Sequence, residues 1–320
     1  MPKISVVVPV YKAERYIERC CRSLFAQTLD DIEYVFVDDC SPDRSIGILK
    51  SVLEEFPQRK GQVRFLRNPK NLGTSLTRQK GIKATTGEYV VHCDADDCVD
   101  VTAYEKMYHY AKDKNLDIVA CEFYKIDDNG NTRHIKEPTD RDVIELLLTG
   151  QRQGALWNRI VKGDIVRSEN IMNPMMDMCE DLVFVLQYYH YANSVGDLHE
   201  ALYYYYRNSD SVSSSRTFEK LLGQLKQVAV NLETVENFFR KNNLLEKYTQ
   251  EIVARKFFNK SCIVSSIYNL KICRYWLRLH PDINMSLYTC PYLSVKDKII
   301  SLLIELRLYP LVRIIKHRRH

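Results

Sequence analysis

Hydrophobic and polar positions along this chain fall into two rhythms. Up to about residue 125, short apolar runs alternate with stretches that repeat at helical spacing. Ile4 to Val10 is a β-branched run ended by Pro9, Val10 and Tyr11, the pattern of a strand buried on both faces. Tyr16, Ile17, Cys20 and Leu24 then recur at helical spacing. Residues 33–38 predict a second buried strand, which ends in Asp38 and Asp39. Pro42 suits the start of a helix whose apolar face is Ile46, Ile48, Leu49, Val52, Leu53 and Phe56. A short strand at 63–66, a turn at 68–73 and a helix at 75–85 follow. Gly87 opens an apolar run that breaks off in Asp94, Asp96 and Asp97. A helix at 104–114 and a strand at 117–121 complete the series. This alternation with short connections predicts an α/β fold, a doubly wound, mostly parallel sheet flanked by helices.

Beyond that point the rhythm changes. Residues 127–130 read as a hairpin tip whose flanks, 124–126 and 132–135, would pair. Helices are expected at 143–148 and 182–191, and a strand with four consecutive tyrosines at 201–206. From Thr217 the pattern is helical, with one stripe of Phe218, Leu221, Leu222, Leu225, Val228, Leu232, Val235 and Phe239. The division expected is a domain over 1–215 and a helical C-terminal region over 216–320, with the boundary in 213–217.

Bulk composition narrows the class. The 320 residues have room for one large α/β domain plus an extension. Apolar residues at 45% and charged residues at 27% describe an ordinary globular chain. A net charge of +5 is too mild to argue for a nucleic-acid partner. Ten cysteines without a C-x-x-C pair argue against a zinc site or a disulfide framework, and suit reduced thiols in a cytoplasmic protein. The N-terminus runs straight into a strand, which leaves no room for a signal peptide, and no apolar run has the length of a membrane span.

Chemistry concentrates where strands end. Parallel strands present their carboxyl ends on one edge of the sheet, where ligands bind in open α/β folds. Asp38–Asp39 and Asp94, Asp96 and Asp97 would therefore line one crevice with Pro9 and Tyr11. Three carboxylates within four residues repel one another unless a cation or hydrogen-bond donors offset them. A hard divalent ion, Mg²⁺ or Mn²⁺, suits such oxygen ligands. An acidic turn capping the next helix is the plainer alternative.

Taken together, these segments closely resemble the family 2 glycosyltransferases with a GT-A fold. The resemblance rests on residues 5–11 (SVVVPVY), 37–41 (VDDCS), 71–73 (NLG), Arg78 with Gly81, 87–89 (GEY) and 94–97 (DADD). Glu180, Asp181 and Phe184 match the family's Glu-Asp-x-x-Phe segment, and Tyr206–Arg207 with 211–213 resembles its following strand and turn. It covers roughly residues 3–215. Lys12, Gln79–Lys80 and Cys93 depart from the usual pattern and leave the donor sugar open. The resemblance implies transfer of a sugar from a nucleotide-sugar, most often a UDP-sugar, to an acceptor hydroxyl. Carried over, Pro9 and Tyr11 would line the nucleotide site, Asp39 would bond the uracil, and Asp94 would face the ribose. Asp96 would hold the metal that bridges the diphosphate. Arg78 would add positive charge near the donor, or is a surface arginine on a helix. Asp181 would be the general base of an inverting displacement, with Glu180 orienting the acceptor; helix-start acids are the plainer reading of that pair.

Residues 297–320 combine aliphatic positions with Arg313, Lys316, His317, Arg318, Arg319 and His320. Such a segment suits the interface of an anionic membrane on the cytoplasmic side, and with it a lipid-linked saccharide acceptor in surface polysaccharide assembly. A last helix docking on the protein core is the alternative. Two of the tyrosines at 203–206 are expected in the core, and the others could stack on sugar rings. His92 is expected as a hydrogen-bonded core residue. Competing functions are a haloacid-dehalogenase-like phosphohydrolase, which also carries Asp-x-Asp after a strand, and a catalytically silent saccharide- or nucleotide-binding module.

Overall fold

A computed structural model of the chain describes residues 1–208, 217–267 and 269–317. The first elements are β1 (Ile4–Val10), α1 (Ile17–Phe25), β2 (Ile32–Asp38), α2 (Ser45–Glu54), β3 (Val63–Arg67), α3 (Thr74–Ala84) and β4 (Tyr89–His92). Next come β5 (Cys98–Val99), α4 (Ala103–Asp113), β6 (Ile118–Ile126), β7 (Thr132–Ile135), α5 (Val143–Leu148), β8 (Arg159–Lys162) and α6 (Gly163–Val166). The chain continues with α7 (Glu180–Tyr191), β9 (Val195–Tyr206), α8 (Phe218–Lys241), α9 (Thr249–Ser261), α10 (Leu270–Arg278), α11 (Val295–Glu305) and α12 (Tyr309–His317). Two compact units result. One comprises Met1–Asp140 and Gly154–Ser214, the other Arg141–Gln153 and Ser215–His320. Residues 209–216, which include the expected boundary and the 211–213 motif, lie outside the described residues, as do the side chains of Arg313 and of 315–320.

The first unit is built on a nine-stranded sheet in the order β3-β2-β1-β4-β8-β6-β9-β5, with β7 pairing β6. Strands β3, β2, β1 and β4 are parallel, as their continuous apolar runs require. The chain moves outward from β1 to β3 and then returns to β4 on the other side of β1. Strand order reverses there, so the crevice lies beyond the carboxyl ends of β1 and β4. Past β4 the sheet becomes mixed: β8 is antiparallel to β4 and to β6, while β6 and β9 run parallel through a bulge at Cys121–Phe123. Strands β5 and β8 have no signature in the hydrophobic pattern, being two and four residues long. Val6, Val8, Val10, Tyr34, Phe36, Val91 and Val119 are all buried in the main core. Gly81 lets α3 press on β1, since a Cβ there would collide with Val7. Helix α2 begins at Ser45 rather than at Pro42, because Asp43 stays outside it and accepts hydrogen bonds from Ser45 and the Glu14 amide.

The second unit is helical. Leu225, Val253, Phe257, Ile272, Trp276, Ile300, Ile304 and Val312 share its core. Asp142 caps α5 and also accepts from Lys247 and Tyr248. Helix α11 starts with a Ser294–Asp297 capping box. One face of α11 and α12 thus docks on core, while Ile299, Leu302, Leu306, Leu311 and Ile314 remain exposed on them. All ten cysteines are free thiols. Among the described residues no helix is long and apolar enough to cross a membrane.

Candidate active site

Arg78 is the point on which the acidic residues converge. It lies in the middle of α3, one turn from the Gly73–Thr74 start, and only 3% of its side chain is exposed. The alternative of a surface arginine is thereby excluded. Its Nη2 donates to Asp94 Oδ1 at 2.6 Å, and its Nη1 donates to Glu180 Oε1 at 2.9 Å and to Asp181 Oδ1. A buried guanidinium needs such partners, because an uncompensated charge away from water is strongly destabilising. Burial opposes its charge, yet Asp181, Asp94 and Glu180 outweigh that and raise its pKa. Three carboxylates against one cation leave the crevice floor net negative. Burial, and then Asp181, pushes Glu180 up to about 8. Asp181 is also raised, by burial and by Asp94 against the opposing pull of Arg78.

Glu180 and Asp181 occupy the first turn of α7, where the helix dipole favours negative charge. They meet Arg78 because the preceding loop is tied to α3. Asp177 accepts from the Ser75 amide at 2.9 Å, and Ser75 Oγ donates to the Pro174 carbonyl at 3.0 Å. Gly73 makes room for this: at φ +87° it adopts a backbone that favours glycine, and a Cβ there would strike the Asp177 carboxylate. From the other side, the Leu156 amide hydrogen-bonds Asp181.

The Asp94–Asp97 turn divides its acids by task. Asp97 is buried and accepts from the Tyr203 hydroxyl at 2.7 Å and the Tyr206 amide at 2.8 Å, a role that ties the turn to β9. Asp94, 27% exposed at its side chain, faces Arg78. Asp96 is half-buried; its Oδ2 accepts from Asn208 at 3.4 Å, and its carbonyl accepts from Arg19. Burial and Asp94 raise the Asp96 pKa, a strain that a bound cation would relieve. Among the described residues no three His, Cys, Asp or Glu side chains converge to hold a metal by themselves. A Mg²⁺ or Mn²⁺ here would have the partly buried Asp96 carboxylate as a protein ligand and would need its other ligands from a bound substrate.

Pro9 lies on β1 opposite Val37, and Tyr11 follows it, 41% exposed, at the same sheet edge. Asp39 is buried and already engaged: its oxygens accept from Asn68 at 2.8 Å and from the Leu72 and Gly73 amides at 2.8 and 3.0 Å. It shapes the turn that delivers Gly73 to α3. His92 corrects the sequence expectation of a hydrogen-bonded core residue. It is 2% exposed, neither ring nitrogen has a hydrogen-bond partner, and burial with Arg78 holds its pKa well below the ordinary value. Asp177 and Leu156 carry no signal in the sequence, and Tyr203 shows only as one of four consecutive tyrosines, since each acts on a partner far away in the chain.

A family model, glycosyl transferase family 2, matches residues 5–172. EpsJ, an uncharacterized glycosyltransferase of Bacillus subtilis (strain 168), is 31% identical over 226 residues, 67% of this chain and 63% of EpsJ. The cholesterol galactosyltransferase of Borreliella burgdorferi is 26% identical over 321 residues, covering 95% of this chain and 83% of that protein. In fold, the chain is similar to S. aureus TarS 1–349 in complex with UDP-GlcNAc, with a TM-score of 0.70 at 18% identity, over 98% of this chain and 87% of that one. An acidic sheet edge with a partly buried Asp96, and a buried Arg78 that joins Asp94 to Glu180–Asp181, accompany a family match over more than half of the sequence: the chain belongs to glycosyltransferase family 2 and is a glycosyltransferase.

Proposed function

We propose that this enzyme transfers a sugar from a UDP-sugar to an acceptor hydroxyl with inversion. The observation that carries this reading is the Arg78 hub, which holds Asp94 beside Glu180 and Asp181 in one crevice. Pro9, Tyr11, Asp39 and Asp94 line the nucleotide side of the donor, and Arg78 sets the positions of the acids around it. Asp181 takes the proton of the acceptor hydroxyl while that oxygen bonds to the anomeric carbon. The bond from that carbon to the diphosphate breaks, and its electron pair leaves with UDP. A single displacement inverts the anomeric centre. Glu180 orients the acceptor. Asp96 would hold a Mg²⁺ or Mn²⁺, which would supply positive charge against the leaving diphosphate. Membership of family 2 removes the phosphohydrolase alternative.

The test is a panel of UDP-, GDP- and dTDP-sugars with Mn²⁺, scored for slow donor hydrolysis. Release of UDP from one or more UDP-sugars is expected; turnover confined to other nucleotides would overturn the donor assignment.

The acceptor reading is a lipid-linked saccharide of surface polysaccharide assembly, met at an anionic membrane. The exposed Ile299, Leu302, Leu306, Leu311 and Ile314 support it, beside Lys296, Lys298 and Arg307. The name of the Borreliella relative, with its lipid acceptor, supports it as well. Leu302→Asp with Ile314→Asp is expected to weaken co-sedimentation with phosphatidylglycerol vesicles by about tenfold. Unchanged co-sedimentation would overturn the membrane reading.

A further inference from the structure

The four tyrosines of β9 are not spent equally. Tyr203 and Tyr205 share one face of the strand, as alternate residues do, and Trp157 is stacked with both. The ring of Trp157 lies 4.3 Å from Tyr203 at an interplanar angle of 12°, and 5.6 Å from Tyr205 at 15°. Phe123 closes the stack edge-on, 4.9 Å from Trp157. Tyr203, Trp157 and Phe123 are buried, whereas Tyr205 is half-buried. One face of its ring is covered by Trp157, the Lys125 ammonium lies over the ring at 5.9 Å from its centroid, and both Lys125 and Arg207 are exposed, so that the lysine can move aside for a ligand.

This stack is anchored at both chemical centres of the site. The Tyr203 hydroxyl donates to Asp97 and accepts from the Asp94 amide at 3.2 Å, which ties it to the acidic turn. Leu156, the residue before Trp157, hydrogen-bonds Asp181 through its amide. The amide of Tyr206, the residue after Tyr205, donates to Asp97 at 2.8 Å, so this end of the strand stands beside the acidic turn. A buried three-ring stack would hold Tyr205 rigid at little entropic cost on binding.

We propose that Tyr205 is the stacking platform for the acceptor, a pyranose that lays its C–H face on the ring and turns a hydroxyl towards Asp181. A pyranose has an apolar C–H face and a hydroxyl rim, and sites of this kind pair aromatic walls with a few placed polar groups. The platform rests on the reading of Asp181 as the base. Tyr205 is a specificity-determining residue, and the underlying Trp157 is a positioning residue.

The experiment compares wild type, Tyr205→Phe and Tyr205→Ala against methyl β-pyranosides of glucose, galactose, N-acetylglucosamine and N-acetylgalactosamine, with UDP and Mg²⁺ present. Saturation-transfer NMR from the aromatic protons is expected to reach the C–H protons of one sugar face in wild type and Tyr205→Phe, and to be lost in Tyr205→Ala. In transfer assays Tyr205→Ala is expected to raise the acceptor KM about tenfold while the donor KM moves less than twofold. Equal saturation transfer in Tyr205→Ala and wild type, or none in wild type, would overturn the platform, as would an unchanged acceptor KM. Failure of Asp181→Asn to lower turnover, with the NMR signal intact, strikes the assignment of the base and leaves the platform standing. Far-ultraviolet circular dichroism and melting of Tyr205→Ala separate loss of the ring from loss of the fold.

Discussion

The two sides of the crevice are built in opposite ways. On the side proposed for the donor, Pro9, Tyr11, Asp39, Asp94 and Asp96 sit at or just beyond the ends of parallel strands that follow each other in the chain. On the side proposed for the acceptor, Asp181, Leu156, Trp157 and Tyr205 come from a helix start, a strand approach and an interior strand, joined across β8, β6 and β9. The donor side is assembled by a repeated local unit, whereas the acceptor side is assembled by mixed pairing and long-range hydrogen bonds. A repeated unit constrains the donor edge tightly. A composite wall of short segments is where acceptor preference can change without disturbing the sheet. Arg78 belongs to both, reaching Asp94 in one direction and Glu180–Asp181 in the other.

Substitutions can test that division. Asp181→Asn should lower kcat by ~10³-fold, in the range of general-base catalysis, with UDP binding retained in a calorimetric titration. Turnover close to wild type would detach the base from the acceptor side. Asp96→Ala should cost ~10²-fold in kcat and remove the response to added Mn²⁺; an active variant that still responds to the ion would place it elsewhere.

Arg78→Met cuts the link itself. It leaves three carboxylates without their shared cation, so a loss of about 3 kcal/mol in urea unfolding is expected, together with an alkaline shift of the pH–rate profile. A stable variant with an unmoved profile would mean that the two sides do not communicate through this residue.

The smallest effect is in pH dependence. Glu180 releases its proton near 4.5 as an ordinary carboxyl but at about 8 in the folded chain. Between those values the unfolded chain is ionised at this group and the folded chain is protonated. Stability should therefore fall as pH rises from about 4.5 to 8, and Glu180→Gln should flatten that fall in thermal melts. Activity has the opposite sign, since the base must be ionised. kcat/KM should rise as Asp181, whose pKa burial and Asp94 raise, gives up its proton, and Glu180→Gln, which removes a neighbouring acid, should move that limb to lower pH. A profile identical in the variant would assign the limb to another group.

Legibility followed the same line as construction. Residues 4–10, 33–38 and 87–92 are readable as strands from their apolar runs alone, and β1, β2 and β4 lie there. The hairpin around 127–130 is paired as its flanks suggested, Tyr124 opposite His134. Strand β8 was not readable, since Arg159–Lys162 is too short to show a period and carries a charge at each end. Arg78 could be placed on a helix but not inside the protein, because its own stretch looks solvated: Gln79, Lys80 and Lys83 surround it. Trp157 and Tyr205 were in the same position. Their stacking is a property of two segments 48 residues apart (205 − 157) that meet only through the sheet.

By itself, then, the sequence determined the parallel strands, the acids at their ends and the family. Side-chain periodicity and a polar break at a strand end are local, and several ordered motifs carry a family signal together. Only the tertiary structure decided which acids share Arg78, that Asp97 braces the turn while Asp96 stays partly exposed, and which tyrosines stack on Trp157. Those are outcomes of burial, and burial depends on which distant segment supplies the covering atoms or the compensating charge.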